Sequence, residues 1–311
     1  MHASTAANPE PAARFLARTA NWLIGIYLVV VVALMVTLRV SPGIGLVAVV
    51  LAMGIVVVGR GRPFIRDWGP FVVILIAWEG MRDVASAFGQ AVQSDSVIAV
   101  ERALFAGGIP SVEFQRIFFD GTVRLHDYAL TTMYASHFVF PLAFAYLLWR
   151  GDRRIYYRFV ITLLGVSFAA FLTFLLLPVA PPRLAYQYGE ALPVTDIMAA
   201  VAGSVDWDVP AWMYRNLIGN PVAAFPSMHA AFPFLVLLFL RERSWKWALA
   251  WAPVTGAIWF ATVYLGHHYV VDVLGGVVFA VVGYLVVKRV MRHDDEGTSL
   301  LGWRLQRYRR R

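Results

Sequence analysis

The sequence predicts an all-α fold, a polytopic bundle of membrane-spanning helices. Of its 311 residues, 59% are hydrophobic and only 15% are Asp, Glu, Lys or Arg, whereas about 25% of the residues of an average soluble domain are charged. Apolar runs recur along the chain at close to the roughly 20 residues that a helix needs to cross a bilayer. One aqueous core could not bury so much apolar surface, so we expect a bilayer as the solvent.

These runs predict about eight spans. The sixth run is short, and the third carries three charged side chains. Their length and composition favour helices, with ends defined to within a few residues. In chain order the spans are 21–40, 42–58, 69–88, 127–149, 156–178, 225–240, 246–264 and 269–288.

The basic residues predict the orientation. A net charge of +8 is also found in nucleic-acid-binding proteins, but the Lys and Arg residues of membrane proteins collect in cytoplasmic loops. Most of the 27 Lys and Arg residues lie on one side of the membrane if the N-terminus is cytoplasmic. We therefore expect no nucleic-acid partner, and cytoplasmic tails at 1–20 and 291–311.

Two long segments are then outside, at 89–126 and 179–224. The first has apolar residues at helical spacing, which predicts one or two short interfacial helices. The second is rich in Pro, Gly, Trp and Tyr, and we expect it to cap a site. The chain has no cysteine, which excludes disulfides, thiolate metal sites and cysteine nucleophiles.

A histidine and an aspartate open the last span and are the strongest candidates for chemistry. His268 and Asp272 are four residues apart in the segment 264–272 (YLGHHYVVD), so on a helix they share a face. A carboxylate bonded to one imidazole nitrogen fixes the tautomer and leaves the other nitrogen to attack. The alternative is a His–Asp pair that only stabilises the bundle, although ionisable residues in spans are usually functional.

A second candidate segment, 220–229 (NPVAAFPSMH), lies where the sixth span begins. Pro226 suits a first helical turn, and the free N–H groups of a helix start attract phosphate. Ser227 would add a hydroxyl donor, and His229 would protonate a leaving oxygen. An ordinary helix cap would contain the same residues.

Arg183 ends a third segment, 178–183 (PVAPPR), at the outer end of the fifth span. Its guanidinium can bind two phosphate oxygens at once. Taken alone, an arginine that touches lipid headgroups is the simpler interpretation. The three segments together are more specific, because they fall at the outer ends of three separate spans.

The order and spacing of these segments resemble the type-2 phosphatidic acid phosphatase superfamily over roughly residues 60–290. That family has an Arg-Pro segment, then Pro-Ser-Gly-His, then Ser-Arg followed by His-x-x-x-Asp. Here Pro-Ser-Met-His ends at His229, and His268 and Asp272 form the last pair. The resemblance implies a six-helix core at 59–290, with the spans of 21–58 as an additional hairpin.

Departures from that pattern point to one branch. Leu176 stands where the family has Lys, proline precedes Arg183 rather than following it, and Ala261-Thr262 replaces Ser-Arg. These features resemble inositol phosphorylceramide synthase and related inositol phosphotransferases. The supporting residues are Pro181-Pro182, Met228, His267-His268-Tyr269 and, more loosely, 62–71 and Tyr134 with His137-Phe138.

The resemblance implies roles for the matched residues. His268 would attack phosphorus and form a phosphohistidine, Asp272 would orient His268, and His229 would protonate the departing alkoxide. The residues implied to bind the phosphate are Arg183, Ser227 and His267. No cofactor and no metal is implied, and the adjacent His267 and His268 are poorly spaced for one ion.

Other polar residues are candidates for auxiliary roles. Arg215 or Arg82 would supply the charge that Thr262 lacks, and the polar residues of the third and fourth spans would form a pocket for a polyol acceptor such as inositol. A salt-bridge network between two helices is the alternative. The auxiliary set comprises Arg215, Asn220, His137, Tyr134, Glu79, Arg82 and Asp83.

We expect a lipid phosphotransferase that moves a phosphoryl headgroup from a donor lipid through His268 to a hydroxyl acceptor, with membrane lipids as its partners. A lipid phosphate phosphatase shares the first half-reaction, and a non-catalytic membrane scaffold or carrier is a third alternative. We expect a bacterial plasma membrane with the site at the outer face. The sequence does not fix the oligomeric state.

Overall fold

The computed structural model describes residues 66–75, 78, 92–189, 192–205 and 221–295. Within these ranges the regular secondary structure is helical, apart from one isolated parallel bridge between Val179 and Ala223. The all-α prediction is therefore confirmed for this part of the chain. The predicted tail 1–20, the hairpin 21–58, most of the third span and the tail beyond 295 lie outside the described residues.

Nine α-helices have both ends within these ranges, and residues 66–75 are also helical. A 3₁₀ helix, Pro182–Tyr188, follows the fifth of the nine. The helices are α1 Ser94–Leu104, α2 Pro110–Phe118, α3 Leu125–Ala135, α4 Val139–Gly151, α5 Arg153–Leu176, α6 Ile197–Gly203, α7 Met228–Arg243, α8 Trp245–Tyr264 and α9 Val270–Asp295.

Two of these helices, α5 and α9, are long and apolar enough to cross a membrane. The 24 residues of α5 extend for about 36 Å at 1.5 Å per residue. Helices α3 and α4 are long and apolar enough to form a third span if they cross the membrane together. They meet at a bend of 47°. The bend falls at residues 136–138 and includes His137, within the predicted fourth span 127–149. The predicted count of eight spans stays a prediction, because the first two spans and most of the third lie outside the described residues.

The core lies where α4, α5, α7 and α9 pack. Its centre is aromatic and fully buried, with Phe159 of α5 edge-on to Phe144 and Phe239 at centroid distances of 5.1 and 5.2 Å. In a bilayer these side chains stabilise the bundle through close van der Waals packing, because lipid tails are as apolar as the core itself. On α9, a Cβ at Gly276 would overlap the backbone oxygen of Ser227. Glycine thus lets α9 approach the start of α7 closely.

Asp67 organises the end of the bundle where α5 begins. Its carboxylate accepts hydrogen bonds from Trp149 Nε1 at 2.9 Å and Tyr157 OH at 2.8 Å. It also pairs with Arg66 at 2.9 Å and Arg153 at 3.2 Å. A buried carboxylate in a membrane bundle requires such partners, and three of them, Trp149, Arg153 and Tyr157, join 66–75 to α4 and α5.

A second ionic cluster lies at the same end, around Glu242 near the end of α7. Both carboxylate oxygens of Glu242 bind Arg158 of α5, at 2.9 and 3.1 Å. Lys288 of α9 lies 3.0 Å from Glu242 and also donates to Tyr284. Basic residues therefore concentrate where α5 starts and where α7 and α9 finish. The opposite end of the bundle is where α5 ends and where α7 and α9 begin.

Candidate active site

The three candidate segments converge at that opposite end. Arg183 lies in the 3₁₀ helix after α5, His229 in the first turn of α7, and His268 in the connection between α8 and α9. Antiparallel packing brings the end of α5 to the starts of α7 and α9. The backbone fixes this arrangement, because Ser227 N–H donates to Asp272 O at 2.9 Å and Arg183 N–H donates to Gly266 O at 3.0 Å.

His268 and Asp272, which their spacing predicts to be a pair, are in contact. His268 Nδ1 lies 3.3 Å from Asp272 Oδ2, and both residues are buried. The same oxygen accepts the Tyr269 N–H at 2.8 Å. A carboxylate accepts only, so Nδ1 carries the proton and Nε2 is left with its lone pair. Nε2 is the nitrogen with nucleophilic character.

His229 faces that nitrogen directly. Its Nδ1 lies 3.1 Å from His268 Nε2. Since Nε2 is the acceptor, His229 Nδ1 must be the donor in this contact. This contact therefore places the Nδ1 proton of His229 between the two imidazoles.

Two predicted auxiliary residues pack against His229. The Tyr134 ring stacks on it with centroids 4.1 Å apart and planes at 18°. The His137 ring lies 3.8 Å away by centroids, and His137 Nδ1 is 2.8 Å from Tyr134 O. The bend between α3 and α4 thus places two rings beside His229 and limits its rotation.

Arg183 is buried beside the histidine segment. Its Nη1 donates to Asp196 Oδ2 at 3.1 Å. Among the described residues its Nε has no hydrogen-bond partner, although it is shielded from solvent. A buried donor without a partner is energetically costly, so this nitrogen is suited to an anionic ligand.

His267 lies between Tyr134 and Asp196. Its Nδ1 is 3.2 Å from Tyr134 OH, and its Nε2 is 3.7 Å from Asp196 Oδ1, beyond hydrogen-bond distance. Burial lowers the pKa of His267 to about 4, because desolvation disfavours the imidazolium. His267 is therefore neutral near pH 7 and can offer a hydrogen bond, but no charge, to a phosphate.

Ser227 is the N-cap of α7. Its hydroxyl accepts the Ala230 N–H at 3.3 Å, and its backbone is extended, with φ −74° and ψ 114°. The helix therefore begins at Met228, and the expectation that Pro226 lies in the first helical turn is wrong. The capping hydroxyl replaces an acceptor that the first turn lacks. Ser227 is fully buried, which distinguishes it from a surface cap.

The turn before His268 requires glycine at position 266. Gly266 has a φ of +80°, and a Cβ there would lie 2.7 Å from Val194 Cγ1. In place of the family's arginine, Thr262 is buried, and its carbonyl accepts the N–H groups of His267 and His268 at 3.1 and 3.0 Å. Position 262 thus shapes the turn through its backbone.

Several predicted auxiliary residues lie outside the described ranges. They are Arg215, Asn220, Glu79, Arg82 and Asp83. Within the described part of the chain, no three His, Asp or Glu side chains are placed to share one metal ion.

The sequence interpretation missed a set of polar residues around the site. Asp196, the partner of Arg183, also accepts the Ala199 N–H and caps α6. The others lie on α1 and α2, and all are buried and hydrogen-bonded to the backbone of the site segments: Ser94, Glu101, Ser111 and Gln115. Ser94 and Glu101 are seven residues apart on α1, and Ser111 and Gln115 are four apart on α2. On amphipathic helices this spacing places each pair on one face, which was the available indication that they act together.

Three curated proteins with named activities are similar to this chain in sequence. The chain is 29% identical over 174 residues to a phosphoinositol dihydroceramide synthase of Bacteroides thetaiotaomicron, a match covering 52% of this chain and 57% of the relative. It is 28% identical to the inositol phosphorylceramide synthase of Candida albicans over 30% of this chain and 21% of the relative. It is 27% identical to the Schizosaccharomyces pombe inositol phosphorylceramide synthase catalytic subunit aur1, over 40% of this chain and 31% of the relative.

The matches therefore span about half the length of the bacterial relative and less of the fungal ones. No solved structure shows significant similarity. The PAP2 superfamily model matches residues 95–286, which take in α1 and the segments of Arg183, His229, His268 and Asp272. The chain belongs to the PAP2 superfamily.

Proposed function

We propose that this protein is a membrane lipid phosphotransferase that passes a phosphoryl headgroup, with inositol phosphate as the leading candidate, from a donor lipid to a hydroxyl acceptor. The observation that carries the proposal is the position of His268, whose Nδ1 faces Asp272 and whose Nε2 faces His229. The names of the relatives favour an inositol-containing headgroup and a ceramide-type acceptor.

In the first half-reaction the donor phosphate enters between the two imidazoles and displaces the hydrogen bond from His229 Nδ1 to His268 Nε2. His268 Nε2 forms a bond to phosphorus while the bond from phosphorus to the lipid oxygen breaks. The proton on His229 Nδ1 goes to that departing oxygen. Asp272 stabilises the positive charge that develops on the His268 ring, and the headgroup is then held on His268 as a phosphohistidine.

In the second half-reaction the acceptor hydroxyl takes the place of the departed alcohol. His229, now neutral, accepts the hydroxyl proton as the oxygen attacks phosphorus. The bond from His268 Nε2 to phosphorus breaks, which regenerates both imidazoles in their starting states. Water in place of the hydroxyl would give hydrolysis by the same steps.

Arg183 supplies the charge for the phosphate oxygens. Its unpaired Nε and the guanidinium fork suit two oxygens of a phosphodiester. His267 adds a neutral donor through Nε2 if Tyr134 OH donates to its Nδ1, 3.2 Å away. We place this site at the outer face of a bacterial plasma membrane, because the basic clusters lie at the other end of the bundle.

The test uses purified protein in detergent with phosphatidylinositol labelled in its headgroup, in the presence or absence of a ceramide. We expect a new labelled lipid that requires both the ceramide and His268. His268→Ala should abolish it, whereas His126→Ala, at a partly exposed histidine outside the site, should leave it unchanged. Labelled inositol phosphate or free phosphate formed regardless of the ceramide would establish a hydrolase instead.

A further inference from the structure

Glu101 is a buried carboxylate that the reaction above does not use. It lies on α1 and has no solvent exposure. One of its oxygens accepts the Val270 N–H at 3.0 Å, and the other accepts the Val271 N–H at 2.9 Å. These are the first two residues of α9, 169 and 170 positions along the chain.

This contact is a helix cap supplied by a distant helix. The first N–H groups of a helix have no partner within it and are usually capped by the residue that precedes it. Here that residue is Tyr269, whose side chain is not of a capping type. A carboxylate at this end also interacts favourably with the helix dipole.

The capped residues adjoin the candidate catalytic pair. Tyr269 N–H donates to Asp272 Oδ2, the oxygen that faces His268 Nδ1. Three successive backbone N–H groups, from Tyr269 to Val271, are therefore held by two carboxylates. Loss of the Glu101 bonds would free the start of α9, and with it the relative position of His268 and Asp272.

Glu101 is itself fixed, because α1 is anchored at its other end. Gln93 N–H donates to Pro178 O at 2.8 Å, and Ala180 N–H donates to Ser94 Oγ at 3.0 Å. Those residues lead directly to Arg183. The helix α1 thus connects the arginine segment to the histidine segment.

We propose that Glu101 is a positioning residue, which caps α9 from α1 and thereby holds the His268–Asp272 pair in the geometry needed for attack on phosphorus. The inference rests on the proposed phosphotransfer function. A displacement of about 1 Å in reacting groups costs on the order of 100-fold in rate. We expect a kcat effect near that size, with little change in KM.

The test compares Glu101→Gln with Asp95→Asn, which removes an exposed carboxylate from the same helix. The amide keeps one acceptor for the two N–H groups and places a donor against the other. We expect kcat to fall about 10- to 100-fold with KM within about twofold. In hydrogen exchange, the amides of Val270 and Val271 should lose protection while those in the middle of α9 keep theirs. Asp95→Asn should match the wild type in all three measurements.

Unchanged protection at Val270 and Val271 in Glu101→Gln would overturn the proposal, as would lost protection with wild-type kcat. If Glu101→Gln fails to fold, Glu101→Asp, shortened by one methylene, is measured in the same way. Loss of protection throughout the bundle in both variants would reduce Glu101 to a structural residue and also overturn the proposal. Exchange is read without substrate, so it stays separate from the lipid assay, in which an inactive wild-type protein would refute the proposed function.

Discussion

At the residue scale, the contact between His229 and His268 determines which of the two imidazoles donates a proton. With Asp272 holding the Nδ1 proton of His268, the 3.1 Å contact leaves one arrangement, in which His229 Nδ1 donates. The proposed reaction needs that arrangement, a neutral nucleophile beside a protonated acid. The contact thus fixes the tautomers of the two imidazoles from which attack starts.

Asp272→Asn should lower kcat by about 100- to 10,000-fold, because an amide neither fixes the tautomer of His268 nor stabilises its cation. KM should change little, since Asp272 is fully buried and shielded from the substrate. Steady-state assays of labelled headgroup transfer provide the measurement. Asp120→Asn, at an exposed carboxylate paired with Arg124, is the control, and equal activity of the two variants would contradict the role of Asp272.

His267 should make the stability of the protein depend on pH. Its pKa is lowered to about 4 from an ordinary 6.5, chiefly by burial, so between these values the unfolded chain binds more protons than the folded one. The stabilisation from a neutral His267 is present above pH 6.5 and is lost as pH falls towards 4, at up to about 1.4 kcal/mol per pH unit.

The measurement for His267 is the thermal midpoint in detergent at pH 5 and pH 7.5. His267→Gln keeps polar atoms in place but does not titrate, so its midpoint should fall less on acidification than that of the wild type. Parallel decreases in the two proteins would show that His267 does not take up the proton.

The sequence predicted the chemical residues of the site better than their supports. Spacing alone paired His268 with Asp272, although His268 precedes α9 and does not lie on its face, and the structure brings His229 and Arg183 towards them. The sequence interpretation missed Asp196 and Glu101, because each binds a residue distant in sequence and neither belongs to a short motif. Their partners become apparent only when helices pack, as pairwise long-range contacts are not encoded in local periodicity.

At the scale of elements, glycine controls how closely helices approach around the site. The start of α7 touches α9 at Gly276, whose missing side chain makes room for the Ser227 carbonyl. The same close approach supports the hydrogen bond from Ser227 N–H to Asp272 O. Helix spacing here sets the distance between His229 and His268.

Gly276→Ala should therefore destabilise the protein by about 1–3 kcal/mol through overpacking and lower kcat by separating the two histidines. Gly256→Ala in α8 is the matched control, since a Cβ there meets nothing within 4 Å. That change should stabilise the protein by about 0.5–1 kcal/mol, the helical preference of Ala over Gly. Thermal midpoints of both variants decide the matter, and a Gly276→Ala protein as stable as Gly256→Ala would refute the packing argument.

The sequence predicted some of the helices better than others. The apolar runs at 156–178 and 269–288 became α5 and α9, because continuous hydrophobicity over that length leaves little choice in a bilayer. The run at 127–149 became two helices with a bend at 136–138. Pro141 was the available indication, because proline has no N–H to donate to the carbonyl of residue 137, four positions back. The packing of His137 and Tyr134 against His229 at this bend is a tertiary contact that propensity does not contain.

At the scale of the whole molecule, charge and chemistry occupy opposite ends of the bundle. The clusters around Asp67 and Glu242 lie where α5 begins, and the candidate site lies beyond its last residue, Leu176. The charge distribution that predicts orientation therefore also predicts which side of the membrane the site faces. Two single substitutions can test this, because the chain has no cysteine of its own.

Gln187→Cys, exposed on the 3₁₀ helix near Arg183, should react with a membrane-impermeant maleimide on intact bacterial cells that express the protein. Arg243→Cys, exposed at the end of α7, should react only after lysis. Gel shifts of the labelled protein report both outcomes. The reverse pattern would place the site on the cytoplasmic side.

The ion pair between Arg183 and Asp196 has a consequence for turnover. The arginine pairs with Asp196 through Nη1, while its Nε has no partner among the described residues, so on the proposed reaction a lipid phosphate bound through both nitrogens exchanges with that carboxylate. Exchange weakens retention of any one anion, because Asp196 competes for the guanidinium as the product leaves. A transferase handles two lipids in each cycle, and on the proposed reaction this internal competitor would keep the first product from blocking the second lipid.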